Sequence, residues 1–505
     1  EQGNDVYENQ ELPIAASDVD CILLTHAHID HSGLIPLMYV NGFRGQVYST
    51  SATAQLCEIM LRDSAHIQMF EAEWRNRKAA RSGGKLKEFV PLYDMDAAVN
   101  VCKQFVGCEY DRVYDIAEGI KIRFTDVGHL LGSASIEVWA TEKTENGDVT
   151  EKIVFSGDIG NINKPIIKDP KHVRDADYVV MESTYGNRSH GGTPNYVEDL
   201  TDIFKRTFER GGNVVIPSFA VGRTQELLYI IRKIKEDNLV GRDFDVYMDS
   251  PLAIEATNIF IKNVESCFDD DAVELVRKGI NPLSFPGLKY ATTGDESKQI
   301  NFDPNPKVII SSSGMCEAGR IRHHLKHNLW RPECTIVFVG YQAVGTTGRI
   351  IVDGAEEIKL FGEPIQIKAE IVQLKGSSGH ADKDGLLCWI NAFDTKPKKV
   401  FVVHGEDSVC DEFTECLKEE YGYDAMAPYT GGSYDLIADR VISEGVKERK
   451  TRRTTSTQRG KTVFDRLVAA GKRLMTVITH NEGGTNKDLA KFTDQINALC
   501  DKWDR

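Results

Sequence analysis

The stretch Thr25-His26-Ala27-His28-Ile29-Asp30-His31 constrains this chain more than any other. It follows the apolar run Cys21-Ile22-Leu23-Leu24, short enough for a buried strand, and precedes Ser32-Gly33-Leu34-Ile35-Pro36, which reads as a capped helix start. Three imidazoles and a carboxylate thus gather at a strand end, a donor set that suits a borderline cation such as zinc. In extended backbone His26 and His28 point to one side, whereas Asp30 and His31 come after the chain turns, so one segment can serve two metals. A histidine-rich surface turn would not explain so tight a spacing between a buried strand and a helix.

His-x-His-x-Asp-His behind an apolar strand resembles the metallo-β-lactamase superfamily. The resemblance implies an αββα sandwich, two Zn2+ ions holding a hydroxide between them (Mn2+ in their place is left open), and a further histidine and aspartate downstream. Strand-like Ile120-Lys121-Ile122-Arg123-Phe124 runs into Val127-Gly128-His129, and Lys152-Ile153-Val154-Phe155 into Ser156-Gly157-Asp158, so His129 and Asp158 stand where those ligands are expected. The superfamily's opening strands have no match here. Since residue 1 is Glu, the chain reads as a fragment whose sheet lacks an edge.

Tyr178-Val179-Val180-Met181-Glu182-Ser183-Thr184-Tyr185-Gly186 narrows the resemblance. A strand ending on Glu-Ser-Thr-Tyr-Gly is similar to the first signature of the β-CASP group of RNA-processing nucleases, the relatives of RNase J and of the cleavage and polyadenylation endonuclease. That group implies an inserted domain and, beyond it, two histidine motifs returning to the metals. Gly379-His380-Ala381-Asp382 and His404-Gly405-Glu406 match those motifs. The resemblance then assigns His26, His28 and His129 to one ion, Asp30, His31 and His404 to the other, and Asp158 to both. It makes His380, oriented by Glu182, the proton donor beside the scissile phosphate, and counts Asp158 and Asp30 among the catalytic groups. A histidine at the third motif is similar to the RNA-processing branch. Single-stranded RNA is therefore the expected partner, cut internally or from the 5′ end. A DNA-directed nuclease of the same group and a thioesterase or lactonase of the same fold remain as alternatives.

Residues 190–350 match such an insert. Val214–Pro217, Asp245–Met248, Val308–Ile310 and Thr335–Val339 are β-branched apolar runs between helical segments, the pattern of a doubly wound parallel α/β sheet. Ligands of such sheets sit at the strand carboxyl ends. Those ends carry Ser218, Phe219 and Arg223, then Ser312, Ser313 and Gly314, then Arg349 after a Gly/Thr turn, and Ser378 precedes His380. Arginines and free backbone amides hold phosphate, and Phe219 or Tyr341 can stack on a base. His323, His324 and His327, on the helix after Gly319, read as surface residues.

The remaining bounds fit this reading. A chain of 505 residues holds two or three cored domains, and no apolar run approaches the roughly 20 residues of a membrane span. Eleven cysteines without a Cys-x-x-Cys suit reduced thiols in a cytoplasm. A net charge of −15 argues against indiscriminate nucleic-acid binding but allows a local basic groove. The basic segment from Arg75 to Lys87 reads chiefly as a solvated face, with contact to a phosphate backbone as the alternative. The expected layout is a first metallo-β-lactamase part over 1–188, the β-CASP insert over 189–355, a return segment over 356–432 and a helical extension over 433–505. That extension holds a helix around Leu436–Ile442 and a basic linker from Lys447 to Lys461. Two amphipathic helices follow, expected to pack back on the core, with homodimerisation or contact with RNA left open.

Overall fold

This computed structural model describes residues 12, 14–81, 89–145, 147–191, 195–374, 378–446, 463–481 and 485–503. The first sheet is parallel, in the order β1 (Cys21–Leu23), β2 (Gln46–Thr50), β3 (Phe105–Cys108). Among the described residues β1 pairs with β2 alone, and it is half-buried rather than fully buried. The helix start expected at Ser32 is displaced, because Ile29–Ser32 already forms one helical turn and the Ser32 hydroxyl donates to the Ala27 carbonyl. The next helix is Ile35–Val40.

Five strands follow: β4 (Val113–Ala117), β5 (Ile120–Asp126), β6 (Ala134–Thr144), β7 (Gly147–Phe155) and β8 (Tyr178–Glu182). β5 shows why alternation reads as a half-buried strand. Ile122 and Phe124 face a core shared with Leu23 and Tyr48 of the first sheet, while Arg123 pairs across the strands with Glu137 at 2.6 Å.

The chain then leaves for the insert, whose strands are β9 (Val214–Pro217), β10 (Asp245–Asp249), β11 (Leu288–Tyr290), β12 (Lys307–Ser311) and β13 (Thr335–Val339). A hairpin of β14 (Glu357–Leu360) and β15 (Glu363–Gln366) precedes β16 (Glu370–Leu374). All six strands in the order β11-β10-β12-β9-β13-β16 are parallel, and β9, β12 and β13 are buried on both faces, as their unbroken apolar runs require. β16, which sequence places in the return segment, is hydrogen-bonded to the insert. The chain comes back as β17 (Lys399–Val403) and β18 (Ala425–Met426), completing a seven-stranded sheet in the order β18-β17-β8-β7-β6-β5-β4. The architecture is a metallo-β-lactamase sandwich with an inserted doubly wound α/β domain, and one apolar core runs from the long helix Ser51–Arg81 into the insert's helix Pro251–Lys262.

Three further expectations change. Leu436–Ile442 is not a helix: β19 (Ser433–Asp435) and β20 (Arg440–Ser443) form a hairpin, turned by Asp435 Oδ1 accepting from the amides of Ile437 and Ala438. The terminal helices Val463–His480 and Asn486–Trp503 expose Leu467, Met475, Leu499 and Trp503 rather than burying them on the core. Of the basic segment, Arg75 and Arg77 extend the helix Ser51–Arg81 and pair with Glu71 and Glu73, the solvated face expected; the side chains of Lys78, Arg81, Lys85 and Lys87, like the linker Lys447–Lys461, lie outside the described residues. No helix among the described residues is long and apolar enough to cross a membrane.

The third change is His324. While His323 and His327 are exposed, His324 is fully buried, its Nε2 2.6 Å from Asp249 Oδ2. The same carboxylate accepts from Arg320 Nη1 at 2.7 Å and from Ser297 Oγ at 2.5 Å. Removing one partner of such a group strands the others, so Asp249→Ala is expected to destabilise the insert by about 3–5 kcal/mol, read as a lower thermal midpoint. Burial would raise the Asp249 pKa, but the bonds from His324, Ser297 and Arg320 outweigh it and hold it below the ordinary carboxylate value. The stabilisation is therefore present at neutral pH and is lost on acidification below that value.

Candidate metal and phosphodiester site

Five strand ends deliver the candidate ligands. His26 and His28 follow β1, His129 follows β5, Asp158 follows β7, Glu182 closes β8 and His404 follows β17. The register Glu182↔Val403 sets His404 beside Ser183, whose amide donates to the His404 carbonyl at 3.0 Å. His404 itself is in the left-handed region at φ 49°, an uncommon backbone for a residue with a side chain and one that concentrates at functional sites. The turns behind these ligands are tightly stacked: a Cβ on Gly160 would stand 1.9 Å from the Gly128 carbonyl oxygen, so only glycine lets the Asp158 loop lie against the His129 loop.

The side chains converge in two groups joined by one carboxylate. Asp158 Oδ2 lies 3.3 Å from His26 Nε2 and 3.5 Å from His129 Nε2, while its Oδ1 lies 3.3 Å from His31 Nε2. His28 Nδ1 is 3.1 Å from His129 Nε2, completing the first group. In the second, His31 Nε2 is 3.2 Å from His404 Nε2, and Asp30 Oδ2 is 3.7 and 3.5 Å from these two nitrogens. Donors about 2.0–2.1 Å from a tetrahedral zinc stand about 3.3 Å from one another, so the spacings fit such a cation.

Two further observations agree. His26 Nε2 and Asp158 Oδ1 are buried without a hydrogen-bond partner, which a native interior rarely leaves uncompensated. Two of the candidate imidazoles have their other nitrogen engaged: His129 Nδ1 donates to the Gly379 carbonyl at 3.1 Å, and His404 Nδ1 meets Thr184 Oγ1 at 3.1 Å, orienting their Nε2 atoms toward the cluster.

Electrostatics sorts the histidines. Burial lowers the pKa of His26 and of His129, and burial together with His26 brings His28 down to about 3, so these imidazoles are neutral, the form that binds metal. Burial opposes charge on His404 as well, but the hydrogen bond to Asp30 and the nearby Asp158 and Glu182 raise it to about 9. Those carboxylates call for positive charge in this place. Asp158 is likewise held well below the ordinary carboxylate range, burial being outweighed by His26, His31 and His129.

His380 stands apart from both groups, its Nε2 3.9 Å from Asp158 Oδ2 and its Nδ1 3.0 Å from Glu182 Oε2. Glu182 is buried and also accepts from the Ile159 amide at 2.5 Å, so it is fixed to the Asp158 loop. Burial disfavours a charge on His380, yet Glu182 raises its pKa above the usual histidine value.

A cavity of about 470 Å³ opens onto this centre. Of the phosphate-contacting candidates, Phe219, Arg223, Ser312, Ser313 and Ser378 line it. Three do not. Ser218 is buried, accepting from Thr224 Oγ1. Gly314 lies under the Phe219 ring, where a Cβ would approach to 3.1 Å, so it makes room for the aromatic rather than touching a ligand. Arg349 is turned to Asp353, one helical turn on, at 2.8 Å. Sequence reading missed Lys164 and Glu226, which line the cavity as a salt bridge of 3.0 Å, and gave no role to Thr184. A lysine in a loop and a glutamate in an amphipathic helix carry no local signal of either.

Comparison with known proteins agrees with this geometry. The family model described as the Beta-Casp domain matches residues 224–351, and that of the Zn-dependent metallo-hydrolase RNA specificity domain matches residues 364–428. Ribonuclease TTHA0252 of Thermus thermophilus is 34% identical over 390 residues, covering 77% of this chain and 82% of that protein. The RNase J-like protein of Methanocaldococcus jannaschii is 31% identical, with coverage of 77% and 82%. Transcription termination factor FttA of Methanosarcina mazei is 32% identical over 432 residues, covering 84% of this chain, which spans 63% of that protein's length. The sandwich, the inserted parallel sheet, the two joined ligand groups and these relatives agree: the chain belongs to the β-CASP group of RNA-processing nucleases in the metallo-β-lactamase superfamily.

Proposed function

We propose that this chain hydrolyses phosphodiester bonds of single-stranded RNA using two zinc ions. The observation that carries the reading is Asp158, one oxygen toward each ligand group, with the His380–Glu182 pair at the edge of the same cavity. His26, His28 and His129 would hold one ion, Asp30, His31 and His404 the other, and Asp158 both. Bound there, the ions supply Lewis acidity toward water and the phosphoryl oxygens. Glu182 accepts the Nδ1–H of His380, fixing the tautomer and favouring the protonated ring, so that Nε2 can deliver a proton to the departing ribose oxygen. Ser313 and Ser378 on the cavity wall align the backbone, and Phe219, half-exposed at the mouth, offers a face to a base.

The test is metal content measured alongside products from a 5′-labelled single-stranded RNA, with single-stranded DNA and a thioester in parallel. The expected result is two ions per chain and RNA cutting abolished by a chelator. One ion, chelator-resistant cutting, or preference for DNA or thioester would overturn the reading. Phe219→Ala is expected to cost about 1–3 kcal/mol of RNA affinity, read as a raised KM with kcat nearly unchanged.

A further inference from the structure

Two cations reach the cavity from opposite sides of the cleft. Lys164 comes from the loop after Asp158, on the metal-bearing part, and Arg223 opens the insert's helix Arg223–Glu236. Both are engaged by one carboxylate: Lys164 Nζ is 3.0 Å from Glu226 Oε1, and Arg223 Nη1 is 2.5 Å from Glu226 Oε2. Lys164 Nζ also donates to the His129 carbonyl at 3.2 Å, so this cation touches the backbone of a metal ligand. Glu226 is only 8% exposed.

A carboxylate in the throat of a cleft that takes a polyanion is out of place unless it is exchanged. Holding the insert in position is not a sufficient reason for it, because an apolar core already joins Leu56 of the long helix to Ala256 and Phe260 of the insert. Geometrically, the carboxylate offers one oxygen to a lysine and one to an arginine, the arrangement a non-bridging pair of phosphate oxygens also makes.

We propose that Glu226 stands in for a substrate phosphate: in the free chain it occupies Lys164 and Arg223, and an incoming single-stranded RNA replaces it with one backbone phosphate. Lys164 is then a substrate-binding residue, and Glu226 a gate that lowers affinity for anions without entering the chemistry. The proposal rests on the RNA reading above.

The experiment measures binding of a phosphorothioate single-stranded RNA to the metal-loaded full chain over a range of salt, with kcat on the cleavable RNA. Glu226→Gln removes the competing charge and is expected to tighten Kd by about 3- to 10-fold at low salt. Lys164→Met is expected to weaken Kd by about 5- to 10-fold and to reduce the slope of log K against log salt by about 1, as for loss of one phosphate contact. For Glu226→Gln, kcat at saturating RNA stays within about threefold of wild type, the signature of a change in binding alone. Should Glu226→Gln not fold, the salt slope of Lys164→Met decides. Unchanged Kd and slope in both variants, with wild-type binding intact, overturns the exchange alone. A wild-type chain that neither binds nor cuts the RNA overturns the functional reading and the exchange with it.

Discussion

Asp158→Ala is expected to lower RNA hydrolysis by at least about 10³-fold and to bring metal content below two ions per chain. The magnitude follows from its place. One oxygen faces His26 and His129 and the other faces His31, so a single truncation opens both ligand groups. It also leaves five imidazoles facing one another with less negative charge among them. Loss of several kcal/mol of transition-state stabilisation corresponds to that factor. Metal analysis of the purified variant beside its turnover on labelled RNA checks both halves. A variant that kept two ions and wild-type turnover would show that the carboxylate does not join the groups.

His380→Ala should have the second largest effect, with a different signature. Because His380 Nε2 is 3.9 Å from Asp158 and its Nδ1 bonds to Glu182 rather than to a ligand, its removal is expected to leave metal content unchanged. kcat is expected to fall by about 10²- to 10⁴-fold, the range for loss of general acid catalysis. Glu182→Gln acts through the same imidazole and should cost less. The double variant should be little worse than His380→Ala, since groups that act as a unit do not add. An additive double variant would assign Glu182 a separate role.

The candidate donors His26, His28, His129, Asp158 and His404 were legible because each sits within a few residues of a strand's end, while Asp30 and His31 follow His28 on the next helical turn. The insert's sheet was legible because its central strands are buried on both faces and therefore unbroken in hydrophobicity. What failed depended on partners remote in sequence. His324 reads as surface because nothing near it shows Asp249, 75 positions upstream, whose carboxylate pays for its burial. Lys164 was invisible for the same reason, with Glu226 on another domain. Two errors had local signals. Asp353 stands one helical turn after Arg349 and takes its guanidinium, and Asp435 begins the turn that breaks the helical pattern over Leu436–Ile442.

The strand β16 brings the insert's sheet close in sequence to the candidate site. It is hydrogen-bonded into the insert's sheet, and four positions beyond Leu374 in the sequence comes Ser378, then Gly379, whose carbonyl orients His129, and His380. The Gly379 carbonyl that holds the His129 ring and the His380 imidazole thus sit side by side on one stretch, so a substitution that shifts this stretch is expected to disturb both groups at once.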